Sequence, residues 1–248
     1  MRRAVFVVMI KKMNMKNPPD AREQHIRTGR YLKDIIFAAS DGIVASFAVV
    51  GAAAGGSFPV SVLLVIGSAE LFAEALSMAS ANYLGTRSEQ QFYKKEEAEE
   101  YREVKEIPDK EREEIREILA AKGYAGADLD AMTALVTSNE KFWVEFMMLE
   151  ELKLYNPVED SAMKNAVITF SAFVVAGAIP LLPYLVLEKN ATFLLSAVCT
   201  AAALFVVGAM RKFFSAQSWI MLGLEMLAVG GAAAAVAYGI GFVIKTLV

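Results

Sequence analysis

The sequence predicts an all-α integral membrane protein in which five transmembrane helices carry one helical insert between the second and the third. Three observations predict it. The 248 residues are 56% apolar, with a positive mean hydropathy, which is more apolar than a soluble domain of this length usually is. The apolar residues gather into five stretches of the ~20 residues that a helix needs to cross a bilayer. The net charge is only −3, yet it is segregated. Residues 1–34 hold nine Lys/Arg against three Asp/Glu, and residues 88–160 hold ten against twenty, a net of −10.

Residues 1–32 form a polar N-terminal segment. Within it, Met1–Lys12 carries Arg2-Arg3 and then the short apolar stretch Ala4–Ile10, with no small-residue cleavage site after it. It is read as a disordered leader, or as an extension upstream of a start at Met13 or Met15. Residues 33–87 hold the first two spans, about Ile35–Gly55 and Val60–Tyr83, joined by a tight Gly55-Gly56-Ser57-Phe58-Pro59 turn. The second span is expected to run on as one helix to about Glu106 and so into the insert, residues 88–162. There Pro108 suits a helix start, where its missing N–H does no harm. The helix Asp109–Lys122 should close on Gly123 as its C-cap. Two more helices follow, Asp128–Thr137 and Glu140–Leu154, the last ended by Asn156-Pro157. Residues 163–248 hold spans three to five, about Asn165–Leu187, Thr192–Met210 and Trp219–Ile244. In the last of these, Gly230-Gly231, Gly239 and Gly241 predict close helix packing.

Basic residues set the orientation. Arg22, Arg27, Arg30 and Lys33, then Arg87, Lys94 and Lys95, then Lys164, then Arg211 and Lys212 all fall on one side of five crossings. The other side shows only Lys189 and Lys245. The N-terminus and the insert are therefore expected in the cytosol and the C-terminus outside. The sequon Asn190-Ala191-Thr192 would face outside, too close to the membrane to carry a glycan.

Composition excludes several functions. An acidic insert does not suit nucleic acid, whose phosphates need a basic face; it suits cations. One cysteine, Cys199, inside an apolar stretch, rules out a disulfide framework and a cysteine zinc site. One histidine, His25, lies in the polar N-terminal segment. Glu-x-x-His, the mark of carboxylate-bridged di-iron helices, is absent. No Ser/His/Asp set and no phosphate-binding glycine loop occur, so the chain is not read as an enzyme. Any metal site has to use oxygen and thioether ligands.

Acids inside the spans are costly to bury and so point to function. Asp41 lies in the first span. Glu70, Glu74 and Met78 follow one another at intervals of four in the second, which stacks two carboxylates and a thioether along one face. Carboxylates replace the hydration shell of a divalent cation, and a soft sulfur favours iron-like metals over calcium or magnesium. Glu225 is a further acid in the fifth span. In the insert, Glu100 with Glu103, and Glu111 with Glu114, form two Glu-x-x-Glu pairs that the Pro108 turn can bring together. Met147, Met148 and Glu151 stand on the last helix. Five carboxylates without a basic partner repel one another, and a bound cation removes that repulsion. A solvated acidic face is the alternative for the insert, and helix–helix hydrogen bonds or apolar packing for the spans.

Four motifs in this order resemble the vacuolar iron transporter family: Asp41-Gly42-Ile43-Val44, the Glu70–Met78 stretch, Asn82-Tyr83-Leu84-Gly85-Thr86-Arg87-Ser88-Glu89, and Phe142-Trp143-Val144-Glu145-Phe146-Met147-Met148. The resemblance runs from about 33 to 245. It implies a homodimer that moves Fe2+, often also Mn2+, out of the cytosol in exchange for protons, along a pathway between the protomers. It places Asp41, Glu70 and Met78 on the pathway. It makes Glu100, Glu103, Glu111, Glu114, Glu151, Met147 and Met148 the ligands of a cytosolic metal-binding domain. The expected bound species are Fe2+, Mn2+ and other divalent ions as substrates, with no permanent cofactor. Two departures point to a prokaryotic branch, and so to the cell membrane: no proline follows the Asp-Gly motif, and Glu74 replaces a small residue. A membrane sensor or buffer that binds metal without moving it is the alternative.

Overall fold

The computed structural model describes residues 21–157, 161–186 and 192–247, with side chains from residue 31 on. The leader Met1–Lys12, the His25 side chain, Lys189 and the first two residues of the Asn190-Ala191-Thr192 sequon lie outside the described residues. Among the described residues all regular structure is helical. In chain order the helices are α1 (Ala21–Gly56), α2 (Val60–Glu106), α3 (Pro108–Ala121), α4 (Gly126–Thr137), α5 (Glu140–Glu150), α6 (Ala162–Gly177), α7 (Leu182–Val186), α8 (Thr192–Met210) and α9 (Trp219–Leu247); a 3-10 turn, Arg211–Phe213, follows α8. The chain divides into two compact units. One joins the residues up to Met78 with those from Val167 onward; the other is Ala79–Ala166.

In the first unit, four helices are long and apolar enough to cross a membrane: Tyr31–Gly56, the apolar start of α2, Thr192–Phe213 and Trp219–Leu247. Their outward faces are apolar, with Val65, Val206, Val236 and Val243 all exposed. An exposed apolar surface of this extent is stable only in lipid or against another protein. The chain is a multi-pass membrane protein. α9 packs on α1 and α8, and α1 packs on α8. One apolar cluster joins Ala38 and Val50 of α1, Leu63, Leu71 and Ala75 of α2, and Phe173 of α6. A second joins Ala39 and Ile43 to Ala176 and Leu204.

The third expected span is not one helix. α6 is 16 residues long, about 24 Å at 1.5 Å per residue, which is less than a ~30 Å hydrocarbon core. A turn at 178–181 and the five-residue α7 continue it. Pro180 is the cause, since it has no N–H to give to Ala176 and its ring crowds that carbonyl. The ladder tightens instead, with Ile179 N–H donating to the Ala176 carbonyl and Leu181 N–H to the Ala178 carbonyl. Ser196 of α8 donates to the Pro180 carbonyl at 2.7 Å and anchors the break.

Close helix contact occurs at two of the four glycines that the sequence singles out in α9. A Cβ on Gly230 or Gly241 would collide with Leu204 or with the Ala52 carbonyl, but one on Gly231 or Gly239 would meet nothing within 4 Å. Near the acids, Gly42 and Gly177 let α1 and α6 meet closely: a Cβ on Gly42 would stand 2.6 Å from the Phe173 carbonyl oxygen, and one on Gly177 2.8 Å from the Gly42 carbonyl oxygen.

The second unit holds the end of α2 with α3, α4 and α5 around a core of Tyr93, Val104, Ile115, Leu119, Leu129, Val136, Trp143, Val144, Met147 and Met148. α2 does run unbroken to Glu106, and Pro108 is the first residue of α3. Gly123 follows α3 at φ +96°, a left-handed conformation open to glycine. Asn139 caps α5, its side-chain oxygen accepting from Phe142 N–H. The expected Glu140–Leu154 helix ends early, at Glu150. Lys153 turns to φ 57° and Leu154 N–H reaches back to the Met148 carbonyl at 2.8 Å. That bond reaches back six residues, one further than the closing bond of a Schellman turn, and Leu154 packs on the same core as Met148. The stop is set by this apolar contact, before Asn156-Pro157 is reached.

Candidate functional site

Two groups of acids stand out, one in each unit. In the second unit, Glu100 and Glu103 come from α2 and Glu111 from α3. One carboxylate oxygen of each lies within 4.8 Å of the others. Metal–oxygen bonds of about 2.0–2.6 Å place the ligands of one ion at about this separation. Glu100 is 4% exposed and Glu111 1%. Oε2 of Glu100 and both oxygens of Glu111 have no hydrogen-bond partner. A buried carboxylate in that state is strongly disfavoured in its charged form. Burial first, then the neighbouring Glu151, Glu111, Glu103 and Glu114, push the Glu100 carboxyl up to about 8. Burial, then Glu114 and Glu103, push Glu111 up to about 7.

The remaining insert residues divide. Glu151 lies just past α5, and its carboxyl is raised by burial and then by Glu114. Glu114 is not without a basic partner, contrary to the expectation for all five acids: Lys110, one turn earlier, donates to it at 2.8 Å. That pair lowers the repulsion on the side of the cluster where Glu114 stands. Glu150, next to Glu151, is held by Lys122 at 2.7 Å and by Lys153. Met147 and Met148 are 0% and 1% exposed, inside the apolar core with Ile115 and Trp143. Packing accounts for their burial, and their sulfurs remain the only soft donors on α5.

In the first unit, Asp41 of α1 and Glu70 of α2 are both half-buried, and Oε2 of Glu70 is buried with no partner. Glu74 acts electrostatically on both, and Asp41 on Glu70. The three acids therefore form one group across α1 and α2. Glu74 faces outward, one turn beyond Glu70. Met78 is half-buried against the apolar cluster of Leu71 and Phe173. The bare backbone of Gly42 lets α6 approach beside Asp41. Ser46, on the next turn of α1, is fully buried with its hydroxyl unpartnered. Sequence reasoning gave Ser46 no role, because one serine among small residues carries no signal until its burial is known.

Glu225 stands apart from these acids. Its carboxylate accepts from Arg211 at 3.0 Å, and the pair is partly exposed. This is an ion pair at the foot of α8, which the separation of fourteen residues in sequence concealed.

A family model described as the VIT family matches residues 32–242. The chain belongs to the VIT family. This member of the family is 32% identical over 226 residues to vacuolar iron transporter 2 of Oryza sativa subsp. japonica, covering 91% of this chain and 92% of the rice protein. It is 32% identical over 224 residues to vacuolar iron transporter 1 of Arabidopsis thaliana, covering 90% of each. A third relative, the vacuolar iron transporter of Toxoplasma gondii, is 32% identical over 240 residues, 92% of this chain and 80% of that protein. In this VIT family member the match takes in both groups of acids, those of α1 and α2 and those of the second unit.

Proposed function

We propose that this chain moves Fe2+, and also Mn2+, out of the cytosol in exchange for protons, as a homodimer with five crossings per protomer. α6, the turn at Pro180 and α7 together make the third crossing. The N-terminus and the second unit then face the cytosol and the C-terminus lies outside. In a prokaryotic host the membrane would be the cell membrane.

One observation carries the reading. Asp41 and Glu70 are half-buried in a helix bundle with apolar outer walls, one oxygen of Glu70 is buried without a partner, and Glu74 stands one turn beyond Glu70 on the outward face. Acids at that depth need a positive partner, and a divalent cation or protons supply it. Met78, one turn beyond Glu74, adds the soft donor that selects against calcium and magnesium. The relatives' names, vacuolar iron transporters, support the choice of iron.

The mechanism follows from charge balance. Fe2+ collects at Glu100, Glu103 and Glu111, with Glu114, Glu151, Met147 and Met148 completing the ligand set. It passes to Met78 and Glu70 near the cytosolic side, then to Asp41. Protons arriving from outside neutralise Asp41 or Glu70 and release the metal. Two protons returning inward balance one divalent ion. The test is proton-coupled Fe2+ transport by purified protein in liposomes, with Asp41→Asn and Glu70→Gln combined. Transport unchanged by that double substitution would remove the acids from the pathway.

A second reading has one observation in its favour. The Glu100, Glu103 and Glu111 cluster is complete within residues 79–166, so it can bind metal without the acids of α1 and α2. A sensor or buffer needs no more. It would keep its metal response after the intramembrane acids are removed.

A further inference from the structure

The first unit contains a cavity of about 470 Å3 that neither group of acids uses. That volume lies within the range of small-molecule sites, about 300–1,000 Å3. Two cations line it, Lys33 at the start of α1's apolar stretch and Arg211 just after α8. Its other walls are largely apolar: Ile36 and Phe37 of α1, Phe214 after the 3-10 turn, and Met226 of α9. Phe37 and Phe214 are both more than half exposed, so the cavity opens along the outer face of the bundle.

Its depth is fixed by the helices. Lys33 is two residues into the apolar stretch that begins at Tyr31, and Arg211 lies in the last turn of the one that ends at Phe213. Both cations therefore stand where apolar helix meets water. Trp219 begins α9 at the same level, edge-on to Phe205 with ring centroids 5.8 Å apart. Tryptophan favours that interfacial depth. Arg211 is shared with Glu225, which leaves the cavity with an excess of positive charge and holds the guanidinium in place.

We propose that this cavity binds the headgroup of an anionic glycerophospholipid, with the phosphate between Lys33 and Arg211 and the glycerol and first acyl carbons against Phe37 and Phe214. Basic pockets at the membrane–water boundary suit such headgroups. A free phosphate has no use for four apolar walls. The chain's own residues 1–20 carry five Lys/Arg against one Asp, the wrong sign for this cavity. The proposal does not depend on what the protein transports.

The test is native mass spectrometry of the full chain in detergent, titrated with palmitoyl-oleoyl phosphatidylglycerol or the matching phosphatidylcholine. The wild type is expected to retain phosphatidylglycerol in preference. Lys33→Gln should weaken its binding about fivefold. Arg211→Gln combined with Glu225→Gln should do the same without leaving a lone carboxylate. Lys33→Arg should bind as the wild type does, which separates lost charge from lost fold. Lys245→Gln, at the far end of α9, should have no effect. Equal retention of the two lipids, or full phosphatidylglycerol binding by Lys33→Gln, would overturn the proposal. So would competition by glycerol 3-phosphate at concentrations equal to the lipid's, which would make this a free-phosphate site.

Discussion

Replacing Glu111 by glutamine should stabilise the metal-free protein and weaken its response to metal, two effects of opposite sign from one substitution. In the metal-free fold, Glu111 is buried, has no hydrogen-bond partner on either oxygen, and titrates at about 7 against an ordinary 4.5. Between those values the folded chain holds a proton that the unfolded chain has released. Stability is therefore lost as pH rises through that window. At 1.36 kcal/mol per pH unit, the loss reaches about 3 kcal/mol by pH 8 and is about 1 kcal/mol at pH 5. Glutamine carries no charge, and its amide can donate to the Glu100 and Glu103 carboxylates beside it. Metal-free Glu111→Gln should then unfold about 10 °C higher than the wild type at pH 8, taking about 4–8 °C per kcal/mol for a domain of this size and allowing for imperfect hydrogen bonding. The assay is differential scanning fluorimetry of the detergent-solubilised protein carrying Trp219→Phe, so that Trp143 alone reports, with chelator and then with Mn2+ or anaerobic Fe2+. Metal should raise the wild-type midpoint much more than that of the variant. A variant that is less stable than the wild type with chelator at pH 8, or that keeps the full metal shift, would refute the reasoning.

The same carboxyls make metal binding to the second unit depend on pH. Glu100 and Glu111, at about 8 and about 7, together hold between about one and two protons at pH 7 that an ion must displace. Affinity measured by isothermal titration calorimetry should therefore rise about tenfold or more from pH 6 to pH 7 and level off above about pH 8. A flat profile would contradict the cluster. Gly42→Val should lower the yield of folded protein and its thermal midpoint, by about 1–3 kcal/mol, because the new Cβ meets the Phe173 carbonyl backbone and not a yielding side chain. Glu225→Gln should leave Fe2+ flux in liposomes within about twofold of the wild type, since that carboxylate is ion-paired with Arg211 on a partly exposed surface; a larger loss would put Glu225 on the pathway.

Much of this was legible in the sequence, for reasons that can be named. Long apolar stretches reported four of the helices, with α8 placed to the residue, because the pattern depends only on local composition. Pro108 and Gly123 marked both ends of α3 because each acts on its own backbone. The broken third span was not foreseen. Pro180 was visible, but whether a proline kinks or stops a helix depends on the neighbours that take up the freed carbonyls, here Ser196. The early end of α5 was hidden too, since it rests on Leu154 meeting the same core as Met148. Among the site residues, spacing alone put Glu100 and Glu103 on one face, and the Pro108 turn accounts for Glu111 joining them. The Lys110–Glu114 pair was equally readable as an i, i+4 contact and was overlooked among so many acids. The Arg211–Glu225 pair and the cavity it borders depend on α8 and α9 packing together, which no local pattern states.

In the proposed mechanism metal crosses the bilayer past Asp41 in exchange for protons. The most direct measurement records both fluxes at once, in liposomes holding purified protein, an internal Fe2+-quenched dye and an internal pH dye. Fe2+ entry coupled to opposite proton movement is expected in the wild type, and neither in Asp41→Asn, although that variant should still bind metal at Glu100, Glu103 and Glu111. Fe2+ binding without flux in the wild type, or undiminished coupled flux in Asp41→Asn, would contradict it.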